Sequence, residues 1–426
     1  MFTPPKSIAG IANTCVRTAS LFAIALALHL VVGNQLSALQ LHPASINAAL
    51  RARGWSTTGC SASASANFYV STSGNDNNNG SESSPWRTIS AAGSRVGPGS
   101  IVHVAPGTYA EAPYITVSGQ PSARICFISD VRWGAKITGT PTENYGVAVM
   151  GNYFDVDGFD ITNINPSGHL GIISQGSFNQ IVGNRVHDVA PIGGTDGVGG
   201  AGIMIGDITK HDNNVLQNVI YNIGNFNVNW ASIHNIYYEN KYGLIANNIS
   251  FRSQGCGIQL WHNAGHLVIA NNTIFNNQLC GIVIGADDTP VGAVDDYNIT
   301  VNNIVVYNGS LGAHYGIVEI GHTGTHNQYL NNLVWENVPG NFLLLNGVVD
   351  KNTVTADPGF VNYQPDGTGN YHLLPTSPAV NTGTSYGAPK TDFDDGPRPI
   401  GPAWDIGAYE EGSTPGTWPW FWILTH

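Results

Sequence analysis

The chain has 426 residues, of which 28 are acidic and 16 basic, and its formal net charge is −12. Charged residues make up 10%, against roughly 25% in an ordinary soluble domain. With no basic surplus to displace phosphate counterions, nucleic acid is excluded as a general partner. There are 52 Gly and 44 Asn, and 31 of the Asn fall between residues 151 and 350, which argues against a helical bundle. A hydrophobic share of 42% argues equally against disorder.

Lys6 and Arg17 precede an apolar run from Leu21 to Val32. A span needs about 20 apolar residues, so this run is too short to cross a bilayer. Its length and positive flank suit an export signal over 1–38, cleaved after Ala38. No later run reads as a span, so a secreted, periplasmic or cell-surface protein is expected. A linker over 39–66 includes the Ser/Ala-rich SASASAN. Cys15 would leave with the signal, and Cys60, Cys126, Cys256 and Cys280 remain. Four cysteines permit two disulfides in three pairings.

From about residue 170 a short phrase repeats: apolar-x-Asn-Asn-x-apolar-aromatic-Asn. It appears as IVGNRVHD, VLQNVIYN, LIANNISF, VIANNTIF, TVNNIVVY and YLNNLVWE. Its second Asn falls at Asn184, Asn218, Asn248, Asn272, Asn303 and Asn332. A second phrase, Gly-Ile-x-apolar or a variant, alternates with it at Ile172, Ile203, Ile236, Ile258, Ile282 and Ile317. Two phrases in fixed order every few tens of residues indicate a solenoid of short strands, stacked to bury one continuous core. Asn tolerates left-handed bends, and its amide can bond the Asn one coil above and below. The repeated Asn are therefore read as a structural ladder.

These phrases resemble the right-handed parallel β-helix of the pectate-lyase-like superfamily. FYVSTSGNDNNNGSESSPWRTISAAGSRVGPGSIVHVAPGTYAE, from Phe68 to Glu111, resembles the entry module of many exported β-helix proteins. In that module a short helix, here near Thr88 to Val96, caps the first coil. SPAVNTGTSYGAPKTDFDDGPRPIGPAWDIGAYE, from Ser377 to Glu410, resembles the closing segment of bacterial exported β-helix proteins. The resemblance implies an all-β fold, a single right-handed parallel β-helix over 67–410 with an Asn ladder and a short N-terminal capping helix. The aromatic tail over 411–426 would cover the last coil. The superfamily contains lyases, hydrolases, epimerases and non-catalytic surface proteins, and fold alone does not choose among them.

The resemblance also implies that the Gly-Ile strands line a substrate groove. With Ile inward, strict alternation turns positions −1, +1 and +3 outward and −2 inward. The coil at Ile236 then presents Asn235, Tyr237 and Glu239. The coil at Ile258 presents Gly257, Gln259 and Trp261. The turns that follow add Asp207, Lys210, His211, Lys241, His262, Asp287, Asp288 and His322. His234, Cys256 and Cys280 share position −2 and are read as a buried column, the two cysteines as thiols unless their Cβ vectors converge.

Two chemistries fit this patch. β-Elimination on a uronic-acid polymer needs a base for the C5 proton and a group to stabilise the enolate. Tyr237, Lys241 or His262 is the candidate base, and Asn235, Gln259 or a calcium ion the stabiliser. The loop ADDTPVGAVDDYN offers Asp287, Asp288, Asp295 and Asp296 as oxygen ligands for calcium. Glycoside hydrolysis needs two carboxylates, which Glu239 and either Asp287 or Glu319 would supply. Trp261 would stack on a sugar in either case. The motifs of the alginate and chondroitin lyases and of the alginate epimerases have no match, so no catalytic residue is carried over from the family. The expectation is a monomeric, secreted, carbohydrate-active protein with a polysaccharide as its partner. A lyase acting on an acidic polysaccharide heads that reading, with a glycoside hydrolase or a non-catalytic carbohydrate-binding surface protein as alternatives.

Overall fold

The structure, a computed structural model, describes residues 66–163, 169–190, 199–226, 232–287 and 289–414. The export-signal call, the linker up to residue 65, the tail beyond 414 and Asp288 lie outside the described residues.

The coils wind through three parallel sheets of 11, 9 and 9 strands. One turn of the winding runs through Asn214–Leu216, Val219–Ile223 and Ile233–Tyr238 before the chain returns at Leu244–Ala246. Sequence-distant residues thereby become register partners. Ile172 pairs with Ile203, Ile203 with Ile236, Ile236 with Ile258, Ile258 with Ile282, and Ile282 with Ile317. All six are fully buried, and with their counterparts on the other sheets they fill one continuous core. The fold is the expected β-helix. Among the described residues no helix is long and apolar enough to cross a membrane.

The short helix α1 (Ile89–Gly93) stands at the first coil, as the resemblance implied. The Thr88 hydroxyl caps it by accepting the Ala91 N–H at 3.1 Å, and Glu111 accepts the Ile89 and Ser90 amides. Ile89 and Ala92 join the core.

The two Asn of each repeated pair do different work. The first bends the chain: Asn247, Asn271, Asn302 and Asn331 have φ of 55°, 53°, 54° and 49°. The second points inward. From Asn184 to Asn303, the backbone N–H of each donates to Oδ1 of the Asn one coil on, at 2.9–3.0 Å. The side-chain amide donates to the same oxygen at 2.9–3.1 Å. A parallel ladder through Asn277, Asn308 and Asn337 lies at the next corner. It was not anticipated, although an Asn five residues after the second Asn of three phrases marks it.

The bending residues hold the closing segment. Their side chains point outward, and their amides donate to its carbonyls: Asn247 to Thr391, Asn271 to Asp405, Asn302 to Thr384 and Asn331 to Thr382. The closing segment therefore runs along the flank of the solenoid. A fully buried Arg398–Glu410 ion pair at 3.0 Å fixes its shape.

Replacing Asn272 by Ala would strip the Asn248 donors of their acceptor in a dry interior. Leaving buried donors unsatisfied, together with the lost bonds, should cost about 3 kcal/mol. A urea titration should show a lowered midpoint with an unchanged m-value; an unshifted midpoint would deny the ladder its role.

Candidate active site

The third strand of each coil departs from strict alternation. Positions −1 and 0 both point inward, and −2, +1 and +3 point outward. Space at −1 is tight where glycine stands. A Cβ at Gly202 would come within 2.5 Å of Ile220 Cγ2, and one at Gly257 within 2.5 Å of Ile274 Cγ2. Two expectations are corrected by this.

Asn235, expected to bind substrate, lies inside the helix with no exposed surface. Its amide donates to the Ile220 and Phe251 carbonyls and to the Ser250 hydroxyl, at 3.1, 3.0 and 2.9 Å. It occupies the room that glycine leaves on the neighbouring coils. The −2 column, expected inward, faces outward under a cover of other side chains. Cys256 and Cys280 within it are not thiols: they form a disulfide between adjacent coils, with Cα atoms 4.5 Å apart, beneath Trp261 and Tyr315. Cys126 is disulfide-bonded as well. His234, in the same column, accepts the Cys256 N–H on Nδ1 at 3.1 Å and stacks on Tyr237. Burial pushes its pKa down to about 3, so the ring is neutral.

The remaining candidates converge. The Tyr237 hydroxyl lies 3.1 Å from His262 Nε2, and Asp287 Oδ1 lies 3.0 Å from His262 Nδ1. Glu239 approaches the same Nε2 at 3.7 Å. Three coils are needed to build this group. Tyr237 and Glu239 stand on the strand Ile233–Tyr238 and its exit, His262 in the next exit turn, and Asp287 just beyond Cys280–Ala286. His262 has a left-handed φ of 64°, one of the conformations that cluster at functional sites.

Burial holds the Tyr237 phenol far above its ordinary pKa, with Glu239 and Asp287 adding to the effect. Tyr237 is therefore the donor and Nε2 the acceptor, which leaves the imidazole proton on Nδ1 facing Asp287. Asp287 is pulled below the usual carboxylate range: burial opposes this, but hydrogen bonds from His262 and the Thr289 amide prevail, and the Trp261 side chain adds to them. Glu239 moves the other way. Its burial raises it, and the neighbouring His262 offsets only part of the rise.

Trp261 lies over Gly285, where a Cβ would meet its ring at 2.7 Å. Gln259 is the register partner of Tyr237 and is half-buried. Lys241 lies on the exit turn, and Lys210 sits 3.7 Å from Asp207. Glu319 is not part of the group. It points into the helix and accepts from Asn327, Tyr329 and the Leu345 amide, so it is removed from the carboxylate pair.

The described acids of the loop expected to offer calcium ligands point in different directions. Asp287 is committed to His262, Asp296 binds His326 at 2.7 Å, and Asp295 turns inward with no exposed surface. Among the described residues no group of three or more acidic, His or Cys side chains is arranged to hold a metal ion.

Neither carboxylate oxygen of Asp295 makes a hydrogen bond of ordinary geometry. Burial pushes its pKa up to about 9, against the partial help of the Gly285 and Ala264 amides and Lys241. An unfolded Asp ionises near ~3.9. The folded protein thus holds a proton that the unfolded chain releases, and stability falls as pH rises between these values. Asp295→Asn should raise the melting temperature at pH 8 and leave it nearly unchanged at pH 4. Equal shifts at both pH values would contradict the neutral carboxyl.

Residues 68–229 match the family described as Pel9A-like, right handed beta helix region. No curated protein matches the chain. Among solved structures it is similar to pectate lyase Pel9A, at 19% identity over 82% of this chain and 97% of that one, with a TM-score of 0.55. It is also similar to an alginate lyase from Paenibacillus sp. str. FPU-7, at 16% identity over 68% and 96%, with a TM-score of 0.50. The chain has the right-handed parallel β-helix fold of the pectate-lyase-like superfamily.

Proposed function

We propose that this protein is a polysaccharide lyase that cleaves an acidic polysaccharide by β-elimination. The carrying observation is the Tyr237–His262–Asp287 chain of hydrogen bonds on the outward face of the Gly-Ile strands. Elimination needs a base and an acid close together, and this pair supplies both. With a uronate seated, Tyr237 turns its O–H to the bridging oxygen on C4, which frees His262 Nε2 to take the C5 proton. The C5–H electron pair becomes the C4–C5 double bond as the C4–O bond breaks. The leaving oxygen takes the Tyr237 proton, and His262 returns its own to the phenolate. Asp287 stabilises the transient imidazolium, as an ionised carboxylate on Nδ1 does.

The negative charge that builds on the uronate carboxylate falls to Lys241 and Gln259, and burial pushes Glu239 toward its neutral form. A neutral carboxyl can donate a hydrogen bond to that carboxylate where an ionised one would repel it. Trp261 offers a ring for the neighbouring sugar. No step is routed through calcium.

One observation favours a second reading. Glu239 is raised and Asp287 lowered, the divergence that glycoside hydrolysis asks of an acid and its partner. Products separate the two. Elimination yields an unsaturated uronate with the ultraviolet absorbance of a double bond conjugated to a carboxylate, whereas hydrolysis yields reducing ends without it. Absence of both on a broad polysaccharide panel would leave only the non-catalytic binding reading.

His262→Ala and Tyr237→Phe should each lower kcat by about a hundredfold or more, with the far-ultraviolet spectrum unchanged. Full activity in either variant would remove that residue from the mechanism. Treatment with a chelator should leave the rate unchanged. Loss of activity that calcium restores would bring the Asp287 loop back as a metal site.

A further inference from the structure

Turning −1 and 0 inward makes −2 and +1 successive outward side chains. On the coil of Ile236 these are His234 and Tyr237, which strict alternation would put on opposite faces. Their rings stack, with centroids 5.7 Å apart and planes 16° from parallel. That geometry is favourable for an offset aromatic pair. Tyr237 also meets the His262 ring edge-on, with centroids 6.2 Å apart and planes at 89°. The phenol is thus held between two imidazoles, one of which, His262, faces its hydroxyl.

His234 itself has little freedom. It is buried, and its Nδ1 accepts the Cys256 N–H at 3.1 Å. In a neutral imidazole an acceptor at Nδ1 leaves the proton on Nε2. A Cβ at Gly255 would come within 2.5 Å of the same Nδ1, so glycine there lets the ring settle against the next coil. Cys256 is in turn tied to Cys280 one coil further on. The ring behind Tyr237 is therefore anchored to its neighbour as well as to its own strand. Its register partner on the preceding coil is Ala201, which carries no ring, so this backing belongs to the coil of Tyr237.

We infer that His234 is a positioning residue: its ring fixes the Tyr237 phenol in the orientation that reaches His262 Nε2. It acts through Tyr237 and takes no part in proton transfer. A phenol without this backing keeps its chemistry but spends less time aimed at the reacting atoms, and misplacement of that kind lowers the rate of the chemical step. The inference rests on the lyase reading and deepens it.

Ring and acceptor are different parts of His234, so position and stability can be separated in the full chain. His234→Asn keeps an acceptor for the Cys256 N–H and loses the ring. His234→Phe keeps a ring and loses the acceptor, and His234→Leu loses both. In the ultraviolet product assay the Asn and Leu variants should lower kcat about tenfold with KM within about twofold. The Phe variant should recover kcat to within about twofold of the unsubstituted protein, although it melts lower because the Cys256 N–H is left without an acceptor. In a Tyr237→Phe background His234→Asn should lower kcat no further. A kcat that follows melting temperature across the three variants would make His234 merely structural and overturn the inference, as would unchanged kcat in both ring-less variants. Crystal structures of the unsubstituted protein and of the Asn and Leu variants test the same point without substrate. The Tyr237 hydroxyl should leave hydrogen-bond distance of His262 Nε2 in the ring-less variants, and a hydroxyl still in place there would overturn the inference. If the unsubstituted protein gives no unsaturated product on any polymer, the lyase reading fails, and the hydroxyl position in these structures decides the inference by itself.

Discussion

The inward Asn amide, repeated from Asn184 to Asn332, sets the register of every coil on the next. Each backbone N–H and each side-chain amide donates to one carboxamide oxygen a coil away, at distances near 2.9 Å. In a dry interior no water can replace those bonds. A slip of one residue would unpair the amides and turn each strand's inward side chains outward. The hydrophobic stack of Ile on the third sheet tolerates small shifts, because apolar contact is not directional. The amides do not. The ladder therefore makes the columns on the outer face reproducible, and the columns are what bring Tyr237, His262 and Asp287 together.

A second constraint follows from how full the core is. The ladder and the Ile stack leave little volume at −1, so glycine recurs there on most coils, and the strand spends two successive residues facing inward. That break in alternation sets which residues emerge. It sends Asn235 inside, where its amide finds four partners, and it places His234 and the Cys256–Cys280 disulfide beneath other side chains. Packing inside the helix thus determines the chemistry presented outside it.

The repeat made the fold legible, because each coil must meet the same register as its neighbours. The six Ile read from spacing are the register partners in the sheet. The phase of the strands was less legible. A rule of period two takes every residue to be equally accommodated inside, and the glycines at 171, 202, 257 and 281 were the sign that one position was not. The same assumption led to Cys256 and Cys280 being read as thiols, since a pairing depends on which face they share. The tie between His262 and Asp287 was hidden for a different reason. Both sit in turns, where no periodicity orients a side chain, and the left-handed φ of His262 appears only in the structure.

The acids of the site show how position divides identical chemistry into different roles. Asp287 is partly exposed and receives hydrogen bonds from His262 and the Thr289 amide, so its charge is stabilised. Glu239 and Asp295 are more deeply covered, and at Asp295 the Gly285 and Ala264 amides offset only part of the loss of water. Burial therefore favours their neutral forms. A count of carboxylates along the sequence makes this region look hostile to an anionic sugar. With two of those acids held toward the protonated state, Lys241 faces less opposing charge than the sequence implies.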